Sequence, residues 1–572
     1  MLFALGYGGR INYGGDDVKK DTTVRPLDPI HCAGSFSKDK QLLLLRRLRL
    51  FGLTVLITAL LFIGDENVAK CYVIEQKRLG QRSLVITQPR YKGHLDELKE
   101  AGMLAPACID FALFISSYFE VDKGNASRAI FNGKRVSRLF HTPPVVNIPD
   151  IPTFLKKCHD YSREFNTHNV VQGDLRHWFH QIEINSFLQR MFAVATGKDN
   201  VMLWRNLPMG FSYSCWIAQS IAWGLLAFRI GNEKPLLDEN AFRGEHLPMF
   251  VNVLDESGHV CGFCSVYYDN YFADIADEKV ATVFYNRIKR NALDLGIKIK
   301  GESAEDRTEG IEITHKITRN KEMHRSGVVH LGVQLRLRCI RDREGELTST
   351  LEHRLGRVEK WQTAHEWKNP VTNKSALQKP RTYRGMAEIT GKLMFYWLIH
   401  LRPLCTIPEA RALINIVRRI GKGAYANGWD GECNISCFDW TVITNQWKLV
   451  TENDWLSRRS VEKSGDWMVI ATDSSSTSYG TVYMFRDGST RTYSGKWPEN
   501  DADQRMLLPM GSVLASDHIF LKELRVACDA IINFFGEYPE EKGLRLLCDN
   551  SGVVWSSVVC AKGMALTTGG KQ

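Results

Sequence analysis

The sequence predicts an α+β protein of several domains. Three observations predict this. The chain has 572 residues, enough for three or four domains. Its composition, 44% hydrophobic and 24% charged, is that of a folded soluble chain and excludes a disordered one. The apolar pattern also switches repeatedly between a period of two and one of 3.6, as strands and helices alternate.

Charge and cysteine content narrow the function classes only a little. A formal net charge of +10, from 74 Lys+Arg against 64 Asp+Glu, is compatible with a nucleic-acid partner without requiring one. The 14 cysteines are scattered, which argues against a disulfide framework and for a reducing, intracellular setting, cytoplasmic or nuclear. Cys261 and Cys264 form a single CxxC with no second pair nearby, too little for a zinc site.

In chain order, residues 1–95 carry no readable chemistry. The basic Arg46, Arg47 and Arg49 precede LFGLTVLITALLFIG, residues 50–64, an uncharged run of 15. A membrane span needs roughly 20 residues, so the run reads as a buried helix or strand pair, with a membrane anchor as the alternative. Pro143, Pro144, Pro149 and Pro152 mark a loop. Residues 170–184 alternate as strands do, with Val171, Leu175, Phe179 and Ile182 inward. SCWIAQSIAWGLLAFRI, from Ser214, has helical spacing. MFVNVLDESGHVCGFCSVYYDNYFADI reads as strand, turn, strand, Asp-Asn turn, strand. A helix over 278–295 stops at Gly296, and 327–338 is strand-like again. Asp174 therefore falls at a strand end and Asp269 on a hairpin turn. Two carboxylates on neighbouring strand ends can hold divalent cations between them.

At these residues the sequence resembles reverse transcriptases. GDLRHWFHQIEI resembles the family's first palm motif, LPMGFSYSCWIAQ the second, YYDN the Tyr-x-Asp-Asp turn, and VVHLGVQL the primer-gripping hairpin. SRAIFNGKRVS resembles the fingers strand, with Asn132 and Lys134 where Asp and Arg are usual. The resemblance covers about residues 100 to 560. It implies a right-hand polymerase: an N-terminal region of unknown role at 1–95, fingers and palm at 96–340, thumb and connection at 341–465, and a ribonuclease H-like domain at 466–572. It implies Asp174 and Asp269 as ligands of Mg2+ or Mn2+, with Asn270 where a second acid is usual. It assigns Arg128 and Lys134 to triphosphate oxygens, Phe179 to exclusion of a ribose 2′-hydroxyl, and Met209, Gly210 and Gln219 to the nucleotide site. Trp178 is larger than the small residue expected there. Asparagine keeps a carbonyl oxygen but no charge, so a weakened metal site is expected. Asp274, past the turn, is not expected to replace it.

Asp473, Glu523 and Asp549, on a strand, a helix and a strand, resemble the ribonuclease H metal site. The family has a fourth acid or histidine further on, and the 23 residues after Asp549 hold none. A truncated domain with feeble or absent hydrolase activity is expected. Residues 380–404 resemble the connection of retrotransposon polymerases, and the basic stretch 315–325 reads equally as a duplex contact or a solvated loop. TDSS, KEL and CDN resemble tyrosine-recombinase retroelements (the DIRS and VIPER kind), with gypsy-type elements second. The expected function is RNA-directed DNA synthesis on an RNA template from a DNA primer and dNTPs, through an RNA–DNA hybrid, with no clear membrane partner. A decayed protein that only binds nucleic acid is the alternative. An RNA polymerase is disfavoured by Phe179.

Overall fold

A computed structural model describes residues 24–28, 30–74, 85–123, 126–341, 347–356, 358–368, 375–401, 407–457, 468–474, 478–484, 490–496, 506–507, 513–514, 519–537 and 544–547. The chain divides into two compact units, Met1–Ser457 and Arg458–Gln572.

The first unit is organised around a five-stranded antiparallel sheet. Its strands run in the order Lys316–Thr318, Asn169–Asp174, Asn270–Ile275, Val260–Tyr267, Val251–Leu254. Alternation along these strands sends neighbouring side chains to opposite faces, and both faces are covered. Val171, Cys264 and Ala273 join one apolar core, while Val170, Phe263 and Phe272 join another. Helices Ser214–Ala227 and Glu278–Asp294 contribute Ile217 and Phe284 to the first. Helix Ile151–Glu164 contributes Phe154 to the second, its ring 5.0 Å from that of Phe272. Asp277 caps the Glu278–Asp294 helix by accepting from Lys279 and Val280 N–H, and Gly296 (φ 68°) follows its end.

The apolar run 50–64 resolves into a buried helix, Thr54–Gly64, preceded by helix Lys38–Leu50. Val55, Leu56, Ala59, Leu60, Phe62 and Ile63 are all buried. Phe62 stacks on Tyr213 with centroids 5.0 Å apart and meets Tyr72, Phe140 and Trp216 edge-on. Among the described residues no helix is long and apolar enough to cross a membrane. The first 95 residues thus supply part of the core that carries helix Ser214–Ala227, and residue 95 lies inside helix Lys92–Glu100.

The structure adds detail to several of these local readings. The strand from Asn169 ends at Asp174, and a helical turn, Trp178–Gln181, replaces continued alternation because His177 adopts a left-handed conformation (φ 45°). Residues 327–338 form a hairpin, Val328–His330 with Val333–Arg341, turning at Leu331 (φ 48°) and Gly332 (φ 80°). The basic stretch 315–325 contains an edge strand of the central sheet and helix Asn320–Arg325, with His315 buried against Tyr271. The hairpin strand Val333–Arg341, which holds residue 340, pairs onward with Leu347–Leu355. Helices Tyr383–Leu398, Pro408–Asn427 and Cys437–Glu452 complete the second core.

The second unit contains a four-stranded sheet in the order Thr490–Lys496, Ser478–Met484, Met468–Ser474, Leu544–Leu547. The first three strands are antiparallel and the last runs parallel to Met468–Ser474. Helix Ile519–Glu537 lies against this sheet, with Tyr483 Oη donating to Ala530 O at 3.0 Å.

Candidate active site

The register of the central sheet sets Asp174 opposite Asn270, next to the turn that carries Asp269. Leu175 N–H donates to Asp269 O at 2.7 Å and locks the two strand ends together. Asp174 and Asp269 open into one cavity of about 290 Å³, which Arg128, Phe179 and Met209 also line. Burial and the charge of Asp174, in that order, push the Asp269 carboxyl up to about 6. A neighbouring carboxylate that makes ionisation costly is the electrostatic condition a divalent cation relieves.

Both acids already have protein donors. Lys300 Nζ lies 3.2 Å from Asp174 Oδ2, and the Asn270 amide donates to Asp269 Oδ1 at 3.0 Å. Among the described residues no group of three His, Cys, Asp or Glu side chains converges as a metal site. The residues present therefore fit a divalent cation through two carboxylates and no more.

The other sequence-selected residues divide. Arg128 is exposed on the strand Ala126–Phe131 at the cavity wall, and Phe179 is half-buried there. Lys134 is exposed at the start of the turn Lys134–Ser137 and does not line the cavity. Gly210 does not line it either. Its φ of 107° serves an approach to the strand Ala126–Phe131, where a Cβ would overlap the Phe131 carbonyl. Phe131 N–H donates to Met209 O at 3.0 Å in the same contact.

Gln219 is fully buried and away from the cavity: its amide donates to Val266 O (2.8 Å) and accepts from Tyr268 N–H (2.7 Å). It holds the left-handed Tyr268 (φ 55°) that starts the Asp269 turn. Trp178 packs into the core, its Nε1–H donating to Ala218 O at 3.0 Å, which accounts for its size. Asp274 lies at the far end of its strand, buried in an ion pair with His168 at 2.7 Å. Cys261 and Cys264 are buried, free cysteines of one strand.

Lys300 and His177 line the cavity too, as do Leu27, Asp28 and Ile30 of the N-terminal region. The alternation in GIKIKG, residues 296–301, is the one signal that could have flagged Lys300. In the second unit, Asp473 is exposed near a strand end, where Ser474 N–H donates to its Oδ1, and Glu523 lies on helix Ile519–Glu537. Asp549 lies outside the described residues.

No protein-family model and no curated protein matches this chain. Solved structures do. A foamy viral protease–reverse transcriptase in complex with double-stranded DNA is similar at 14% identity and a TM-score of 0.38, over 79% of this chain and 62% of that one. A complex of the foamy viral enzyme with an RNA/DNA hybrid gives 13% identity and a TM-score of 0.39, over 79% and 47%. A further double-stranded DNA complex gives 14% and 0.37, over 80% and 74%. The chain thus spans less than two thirds of the first two of these relatives. The likeness is coarse, and no match bears on the class of retroelement.

Proposed function

We propose that the first unit is an RNA-directed DNA polymerase of reverse-transcriptase type, with a weakened metal site, from a retroelement. The observation that carries this reading is the meeting of Asp174 and Asp269 in one cavity with Arg128, Phe179 and Met209. Mg2+ or Mn2+ would be held by Asp174 and Asp269, and would activate a primer hydroxyl and screen the triphosphate. Arg128 binds phosphate oxygens through charge-assisted hydrogen bonds. Phe179 narrows the sugar side of the cavity against a 2′-hydroxyl. Gln219 fixes the hairpin turn and so the place of Asp269. The second unit is read as ribonuclease H-like on its strand order and on Asp473 and Glu523.

A second reading, nucleic-acid binding without catalysis, is favoured by one observation: Lys300 and Asn270 already occupy an oxygen of each carboxylate. Primer extension on an RNA template separates the two. Extension with dNTPs in preference to rNTPs, abolished by Asp174→Asn, supports the polymerase. Duplex binding without extension over a range of Mg2+ and Mn2+ concentrations supports the other.

A further inference from the structure

The N-terminal segment reaches the cavity from two anchor points. At one, Asp28 N–H donates to Ser127 O (3.2 Å) and Ser127 N–H to Pro26 O (2.9 Å), beside the residue that precedes Arg128. At the other, Cys32 Sγ donates to Arg176 O (3.3 Å), Gly34 N–H to His180 O (3.0 Å) and Phe36 N–H to Gln181 O (3.0 Å). One anchor holds the strand of Arg128 and the other the loop of Phe179. Between them the segment gives Leu27, Asp28 and Ile30 to the cavity wall. From the loop, His177 lines the same cavity, with its Nε2 3.9 Å from Asp28 Oδ2. His177 is left-handed (φ 45°, ψ 46°), a conformation unfavourable for a non-glycine residue that the surrounding contacts must hold.

Resting on the polymerase reading, we propose that this segment is a strap that completes the nucleotide site: Asp28 orients the His177 imidazole as a second phosphate donor beside Arg128, while Leu27 and Ile30 wall the cavity. A triphosphate presents more oxygens than Arg128 and the cation meet between them, and Lys300 is engaged with Asp174. The strap also ties the arginine strand to the palm loop, setting the width of the pocket before substrate arrives.

Calorimetric titration of the full chain tests this, with Mg2+ and a dideoxy-terminated RNA–DNA primer–template present. A deoxynucleoside triphosphate and its monophosphate are compared in the parent, Asp28→Asn and His177→Asn. Asparagine tolerates the left-handed backbone at 177 and is isosteric at 28. Each variant should bind the triphosphate about tenfold more weakly and the monophosphate within about twofold of the parent. Unchanged triphosphate affinity in either variant, or an equal loss for both nucleotides, overturns the strap's role and leaves the polymerase reading intact. A parent chain that binds no triphosphate overturns both.

Discussion

Asn270 sets the character of the candidate site. Its amide donates to Asp269 Oδ1, so the turn satisfies one carboxylate oxygen with a neutral donor where a second acid would add negative charge. Replacing it by Asn270→Asp should lower the Mg2+ concentration for half-maximal primer extension by on the order of tenfold, read from extension rate against Mg2+. Unchanged or poorer extension would show that the site is not limited by charge. Elsewhere a residue acts on stability. Burial works against a charged His168, but the Asp274 carboxylate at 2.7 Å outweighs it and raises the imidazole pKa. The folded state then holds the proton more tightly than the unfolded one, so this stabilisation is complete below the unfolded value of about 6.5 and is lost as pH rises through the higher folded value. Urea unfolding of the parent and Asp274→Asn should show an advantage for the parent that is full at pH 6 and shrinks on the alkaline side. A constant gap across that range would contradict it. At this scale motif order and spacing single out Asp174, Asp269, Arg128, Phe179 and Met209, which line one cavity. The sequence did not show Lys300, 126 residues from its partner Asp174, because a single lysine carries no local mark of the acid it meets. Nor did it show the backbone contacts of Gln219 and Gly210, neither of which lines the cavity.

Among the elements, the helix Thr54–Gly64 accounts for the apolar run that could be mistaken for a membrane segment. It packs Phe62 under Tyr213, just past the turn bearing Met209 and Gly210, while Asn185 N–H donates to Ile63 O at 2.9 Å and ties the same helix to the start of helix Ser186–Met191. Phe62→Ala should cost about 3–5 kcal/mol in unfolding free energy, measured by chemical denaturation. A cost under about 1 kcal/mol would place Phe62 outside a close-packed core. Helices and the central hairpin were legible from periodicity and turn residues. The helical turn Trp178–Gln181 after Asp174 was not, because the left-handed His177 breaks an alternation that still looks continuous in the letters. Nor were the pairings of Leu27 with Ser127 and Phe36 with Ile182, which are long-range bridges with no compositional trace.

For the molecule as a whole, every residue that lines the cavity lies within the first unit. A chain ending at Ser457 should therefore keep metal and nucleotide binding within about twofold of the full chain, by calorimetry. A larger loss would mean that the second unit contributes to the site. All of this depends on Asp174 and Asp269 sharing a cation. The direct measurement is Mn2+ binding to the full chain, followed by the paramagnetic resonance of free ion. The parent should bind Mn2+, and Asp174→Asn and Asp269→Asn should each weaken that binding at least about tenfold. Binding that is unaffected by either substitution would contradict the shared site and the polymerase chemistry built upon it.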